Sequence, residues 1–304
     1  MSQAIGGQAV LEGVMMRGPR SWAVAVRKPD GEIAQLAKAI DPLMARHWAL
    51  RLPLVRGVVA LGESLSIGFS ALFVSANYAV EEAEEGEPET AELGGWTLFF
   101  SFAVAIGFVI TVFKVGPGLI TDLLPIKSGV WFVVVEAAIR IAIFVAYLAL
   151  LSLLPSLKRV FMYHAAEHKA INAYEAGEEL TPANAQRFSL IHPRCGTSFL
   201  FWVVVISAFV YAPFGRLPWY WVIVTRAALL PLIAGIAYEV IRFAGKHADN
   251  RALMTVLAPG LWLQRLTTRE PTLDQLEVSI QALREVIALE GRGEATDRRV
   301  EVMA

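Results

Sequence analysis

The feature that most constrains this chain is the clustering of its apolar residues into long blocks. Four blocks, about 95–113, 129–153, 197–214 and 217–244, each approach the roughly 20 residues that a helix needs to cross about 30 Å of hydrocarbon. A water-soluble fold would distribute its apolar residues periodically, because only one face of each element meets a core. Of the 304 residues, 18% are charged, against about a quarter in soluble domains. Trp96, Trp131, Trp202, Trp219, Tyr220 and Trp221 fall near the block ends, where amphipathic rings favour the membrane interface. The expected fold is a mainly α-helical integral membrane protein, with the lipid bilayer as its first partner.

A fifth segment, about 58–79, reads differently. Glu63, Ser66, Ser70 and Asn77 recur on it at helical spacing, a polar stripe on an otherwise apolar helix. It either spans while facing protein, or lies in the interface as an amphipathic or re-entrant helix. Charge separates the two. No Lys or Arg occurs between Gly57 and Phe113, and 81–92 is acidic. If 58–79 does not cross, Lys158, Arg159, Lys169, Arg187, Arg194, Lys246 and Arg251 share one face, against Lys114, Lys127 and Arg216 opposite. The positive-inside rule favours that arrangement. The prediction is about four transmembrane helices plus one amphipathic or re-entrant helix, with both termini cytoplasmic. Met1 to Gly7 carries neither a basic nor an apolar leader region, so no cleavable signal peptide is expected.

The organisation follows. Residues 1–56 form a polar N-terminal region, in which Trp22–Arg27, the turn Pro29-Asp30-Gly31 and Glu32–Leu36 predict a small β-hairpin. Ahead of it, the glycines of 6–18 suggest a turning or closely packed backbone. Residues 57–248 make the membrane domain, including the segment 155–196. Residues 249–290 end in an amphipathic helix, opened by a capping box at Thr272 and Gln275 and carrying Leu273, Leu276, Ile280, Leu283 and Ile287 on one face. Residues 291–304 read as a disordered tail. With a formal net charge of −1, nucleic acid is not an expected partner. The single cysteine, Cys195, excludes an internal disulfide.

Chemistry concentrates in the membrane domain. His164, Glu167 and His168 give the H-x-x-E-H order of inverted zinc peptidases. The histidines are one helical turn apart, so both can reach one ion, and Glu167 is placed to act as a base. A solvated interfacial helix is the plain alternative. His192 and Cys195 form a second cluster in a Pro- and Gly-containing turn before the next apolar block, with only His47 and His247 elsewhere. Glu239, near the same membrane face, is the preferred carboxylate for a further ligand, although an intrahelical pair with Arg242 explains it equally well. Glu12 and Arg17 could be carried against the metal segment by the glycine-rich stretch, and Arg194 or Arg17 could stabilise an anion. Glu175 reads as surface charge. Glu136 and Arg140, a turn apart inside an apolar block, should pair or face protein.

The stretches Gly6–Arg17, Tyr163–Lys169, His192–Phe199, Tyr238–Arg242 and Pro259–Gln264 are similar to signatures of the YqhQ-like family, a bacterial domain of unknown function. The resemblance covers nearly the whole chain. It implies a multi-pass protein of the bacterial inner membrane, of a kind sometimes labelled a predicted metal-dependent enzyme. Three functions stay open. The first is a metal-dependent hydrolase, with zinc or another divalent ion on His164, His168 and one of His192, Cys195 or Glu239, acting on a peptide or a lipid-linked substrate. The second is a scaffold or regulator with a closed four-ligand site. The third is a small-solute or metal carrier, which with so few spans would require a homo-oligomer.

Overall fold

The structure is a computed structural model that describes residues 5–80, 95–215, 218–247 and 250–292. The acidic segment 81–92, Arg216 and most of the predicted disordered tail lie outside these residues. In chain order the described elements are β1 (Gly6–Val10), β2 (Gly13–Arg17), β3 (Ser21–Arg27), β4 (Ile33–Ala39), α1 (Leu43–Arg46), α2 (Val55–Val80), α3 (Gly95–Ile110), α4 (Gly116–Asp122), α5 (Gly129–Ser152), α6 (Pro155–Glu175), α7 (Pro182–Ala185), α8 (Gly196–Tyr211), α9 (Trp219–Lys246), α10 (Arg251–Thr267) and α11 (Leu273–Arg292). A π-helical turn, Thr111–Val115, joins α3 to α4. The fold is mostly helical, with a small N-terminal sheet, and among the described residues five helical stretches are long and apolar enough to cross a membrane.

The predicted hairpin is present as β3 and β4, but it is half of a larger sheet. The glycine-rich stretch is not a turn: it forms β1 and β2, completing a four-stranded antiparallel meander in the order β1-β2-β3-β4. Strand alternation sorts its side chains onto two faces, both covered. Val14, Met16, Ala23 and Ala25 pack with α6 and α11. Met15, Trp22, Val24 and Val26 pack instead with Ile67, Ala71, Val74 and Tyr78 of α2. The C-terminal helix is thus wedged between sheet and α6, which explains why Val278, Ala282 and Val286 are buried beside the predicted stripe of Leu276, Ile280 and Leu283. Leu273 of that stripe is exposed. The capping box forms, with Gln275 N donating to Thr272 Oγ1 and Thr272 N donating to Gln275 Oε1.

The ambiguous fifth segment is one unbroken helix, α2, with two different jobs along its length. Its first half packs on α9, where Gly57 lies so close to Tyr238 that a Cβ would come 2.6 Å from Tyr238 Cβ and 2.8 Å from its ring Cγ. Its second half roofs the sheet. Among the other apolar helices, the first span-length stretch runs Ala103–Asp122 rather than 95–113, through the π turn into α4. The two charges of α5 are paired, as hydrophobic surroundings require. Glu136 accepts hydrogen bonds from Arg140 and, at 2.5 Å, from Arg226 of α9.

Candidate metal centre

Helix α6 begins with a proline in its first turn, a position where the missing N–H has no intrahelical role. Its small residues Ala166, Ala170 and Ala173 let the sheet and α11 approach closely, so the opposite residues are driven into the interior. His164 and His168 stand one turn apart with ring centroids 4.5 Å apart. His164 Nδ1 lies 2.8 Å from the carbonyl oxygen of Thr267, and His168 Nδ1 lies 2.5 Å from that of Leu190. A carbonyl only accepts, so each Nδ1 carries a proton, and in the neutral ring each Nε2 presents a lone pair. This is how ligand histidines are held at metal sites.

Cys195 completes the group. It caps the N-terminus of α8, its Sγ receiving Thr197 N–H at 3.4 Å, and it sits 3.3 Å from His164 Nε2. Ligand atoms of His164, His168 and Cys195 all lie within 4.8 Å of one another. Around a tetrahedral zinc with bonds of about 2.0–2.3 Å, ligand atoms stand on the order of 3.5 Å apart, so the trio suits one ion with slight closure. Its donor set, two imidazoles and a sulfur, also suits zinc.

Glu167 is enclosed beside this trio. Its Oε2 is 3.8 Å from His168 Nε2, while its Oε1 is buried without a hydrogen-bond partner among the described residues. Burial pushes its carboxyl up to about 7, with the nearby His164 and Arg194 opposing. Gly7 of β1 lies directly against it: a Cβ there would come 2.8 Å from Glu167 Cγ and 2.7 Å from the Met15 carbonyl oxygen. The N-terminal motif therefore does reach the histidine helix. Arg17, fully buried, lines the same cavity and is tied to α2 by Glu63 at 2.6 Å and Ser64 at 2.7 Å. The cavity holds about 430 Å³ and has mostly apolar walls, with His164, Glu167, Cys195 and Thr267 on its polar side.

Other expected residues lie elsewhere. The His192 ring is 5.8 Å from that of His168, and its Nε2 is 3.6 Å from Glu175 Oε2, beyond hydrogen-bond reach. Burial pushes His192 down to about 4. Glu175 is not bare surface charge. Arg194 binds it at 2.5 Å, and although burial raises its carboxyl, His192 and Arg194 hold it down at about 2. Arg194 also donates to the Ile5 carbonyl and so fastens the start of β1 rather than facing the trio. Glu239 is engaged by Arg56 of α2 at 2.5 Å and by Leu54 N, with Arg242 at 3.8 Å, and is not grouped with the histidines. Glu12 occupies the β1–β2 turn at φ +50°, where Arg159 and the Tyr163 hydroxyl of α6 contact its carboxylate. Burial and that carboxylate push Tyr163 up to about 12.

Two supporting residues escaped the sequence reading. Gln264 of α10 is fully buried, accepts from His192 N and donates to the His192 carbonyl and to Ser198 Oγ, clamping the loop that ends in Cys195. Thr267 supplies the carbonyl that orients His164. The available signal was a glutamine within an apolar stretch, which must find partners once buried.

Residues 52–289 match the family described as Protein of unknown function (DUF1385). The chain is 35% identical over 306 residues to "Uncharacterized protein YqhQ" of Bacillus subtilis (strain 168), covering 97% of this chain and 96% of that protein. No solved structure matches. The β1–β2 motif precedes the region matched by the family.

Proposed function

The chain belongs to the DUF1385 family of proteins of unknown function, and we propose that it is a membrane-embedded, metal-dependent hydrolase centred on His164, His168 and Cys195. The observation that carries this reading is the convergence of the three ligand atoms on the polar side of a cavity, beside a buried carboxylate oxygen without a partner among the described residues. Three protein ligands leave a divalent ion such as zinc an open position, the pattern of catalytic rather than structural sites. Bound there, the ion would supply Lewis-acid activation of water and of a polarised substrate bond. Glu167 Oε1 then accepts a proton from the attacking water as its oxygen bonds to the electrophilic atom. The same carboxyl returns that proton to the leaving atom as the old bond breaks. The Gly7 backbone, Met15 and Phe161 wall the site against bulk water.

The topology proposed has four crossings: the Ala103–Asp122 stretch, α5, α8 and α9. Helix α2 instead lies along the membrane surface, because its second half covers a sheet whose exposed turn at Pro29 and Asp30 would not enter hydrocarbon. Both termini then share the cytoplasmic face of a bacterial inner membrane.

The test is metal content by inductively coupled plasma mass spectrometry on detergent-purified protein. About one equivalent of zinc or another transition metal is expected, and none in His164→Ala/His168→Ala. Metal-free wild type after reloading refutes the proposal. A closed four-ligand structural site is the second reading, favoured by the His192 ring nitrogens, which have no hydrogen-bond partner among the described residues. Metal retained in His192→Ala rules that reading out.

A further inference from the structure

We propose that the bond cleaved is an uncharged acyl linkage, ester or amide, of a membrane lipid that reaches the centre sideways between α2 and α8; this rests on the hydrolase reading above. Both helices pack on α9. Between them they line the cavity with Leu61 and Leu65 from α2 and Phe199 and Leu200 from α8. Leu65 and Leu200 line that cavity and are still 54% and 52% exposed, so its rim is both apolar and open. Phe69, Leu72 and Phe73 continue the exposed apolar face along α2. An aqueous entrance would not be edged this way, whereas an acyl chain arriving from the bilayer finds a continuous apolar path.

The polar side of the cavity specifies the linkage. Two buried atoms of its lining residues, Glu167 Oε1 and Arg17 Nε, have no hydrogen-bond partner among the described residues. Arg17 is already neutralised by Glu63, and a second carboxylate, Glu167, stands opposite. In the hydrolase reading a divalent ion would be offset by the Cys195 thiolate and the Glu167 carboxylate, as Arg17 is by Glu63, so a phosphodiester would bring a negative charge that nothing among the described walls balances. An acyl linkage brings an acceptor carbonyl for an N–H donor and no charge. In the reaction, the oxygen of water bonds to the acyl carbon and the carbon–oxygen or carbon–nitrogen bond breaks. The leaving group takes the proton that water lost, giving a fatty acid and an alcohol or amine. A peptide would have to pair along β1, the edge strand of the sheet that lines the cavity, and would make no use of the leucine rim.

The experiment uses full-length protein in nanodiscs of phosphatidylethanolamine and phosphatidylglycerol, doped with a phosphatidylglycerol carrying a diazirine in one acyl chain. After irradiation, labelled residues are mapped by mass spectrometry, and zinc is measured in the same sample. Labelling should favour the Leu61–Leu65 and Phe199–Leu200 segments about tenfold over Leu230 of α9, which is also exposed but lines no part of the cavity. Leu65→Trp and Leu200→Trp, each tested singly at an exposed position, should lower it about tenfold, and Leu230→Trp should not. Even labelling of all exposed helices in zinc-containing protein overturns lateral access and leaves the hydrolase reading standing. Focused labelling of protein that binds no metal overturns the hydrolase reading, and cleavage with it. A diazirine-bearing peptide that labels the same segments more strongly than the lipid overturns the substrate class.

Discussion

Replacing Gly7 by alanine tests whether the N-terminal motif closes the proposed metal centre. A Cβ at this position would lie 2.7 Å from the Met15 carbonyl oxygen, 2.8 Å from Glu167 Cγ and 3.0 Å from Met16 Sδ. The first neighbour is backbone, fixed by the β1–β2 register that pairs Gly7 with Met16 and Gln8 with Met15. Relief must therefore come from Glu167 or Met16, both buried. Overpacking of this kind costs about 1–3 kcal/mol. At roughly 2 °C per kcal/mol for a chain of this size, the unfolding midpoint should fall by about 2–6 °C, read by intrinsic fluorescence in detergent. The control is Gly62→Ala on α2, where nothing lies within 4 Å of the added Cβ. There helix propensity predicts a gain of about 0.5–1 kcal/mol. The decisive measurement is the double-mutant cycle with Glu167→Ala. Removing Cγ makes room for the new methyl, so the two changes should couple by about 0.5–3 kcal/mol. An unshifted midpoint in Gly7→Ala, or strict additivity with Glu167→Ala, would refute the packing of β1 against α6.

Arg17→Met should destabilise by about 3–5 kcal/mol, since it leaves Glu63 in an enclosed site without its cation, and Arg17→Met with Glu63→Leu should recover most of that loss; equal midpoints for single and double variants would show that the pair does not hold α2 to the sheet. Glu175 is held at about 2 in the folded chain against 4.5 ordinarily, so its carboxylate contributes stability that is complete above 4.5 and lost as pH falls from there through about 2. Glu175→Gln should accordingly lower the midpoint near neutral pH by the equivalent of about 1 kcal/mol, given its partial exposure, and the gap should close in acid; a gap that widens in acid contradicts the assignment. Glu12→Gln should shift the midpoint by less than about 1 kcal/mol, because its partner Arg159 is 61% exposed, and a larger loss would restore a functional role to the turn.

Composition and block length made the helical, membrane-type fold legible, because crossing hydrocarbon imposes a length that few other structures share. The pair His164 and His168 was legible for a related reason: helical spacing fixes which side chains share a face. The ambiguity at 58–79 came from the same logic. A helix that packs on another helix in its first half and roofs a sheet in its second carries polar residues on a face that no single periodicity explains. Glu63 shows why. It reads as part of a polar stripe that faces either protein or the interface, but it is the counter-charge of Arg17, 46 residues away, and pairing across that separation leaves no local trace. The assignment of Glu239 failed on the same ground: Arg56 claims it across 183 residues, whereas the sequence offered only Arg242, three residues on. The glycines at 6–18 left two readings open because glycine signals both turns and close approach. Here close approach prevails at Gly7, where the strand must run against Glu167. One reason covers all three: periodicity reports which residues leave water, and the partner that replaces water is set by tertiary contact. At this centre the partners are the Thr267 and Leu190 carbonyls, backbone groups whose place no side-chain pattern encodes. A centre whose proposed ligands are readable and whose orienting groups are not should tolerate side-chain exchange at Thr267 while failing when α10 is displaced. Thr267→Val, which keeps the carbonyl, should retain metal, and Gln264→Leu, which frees the His192 loop and Cys195 with it, should lower metal affinity by about 10–100-fold.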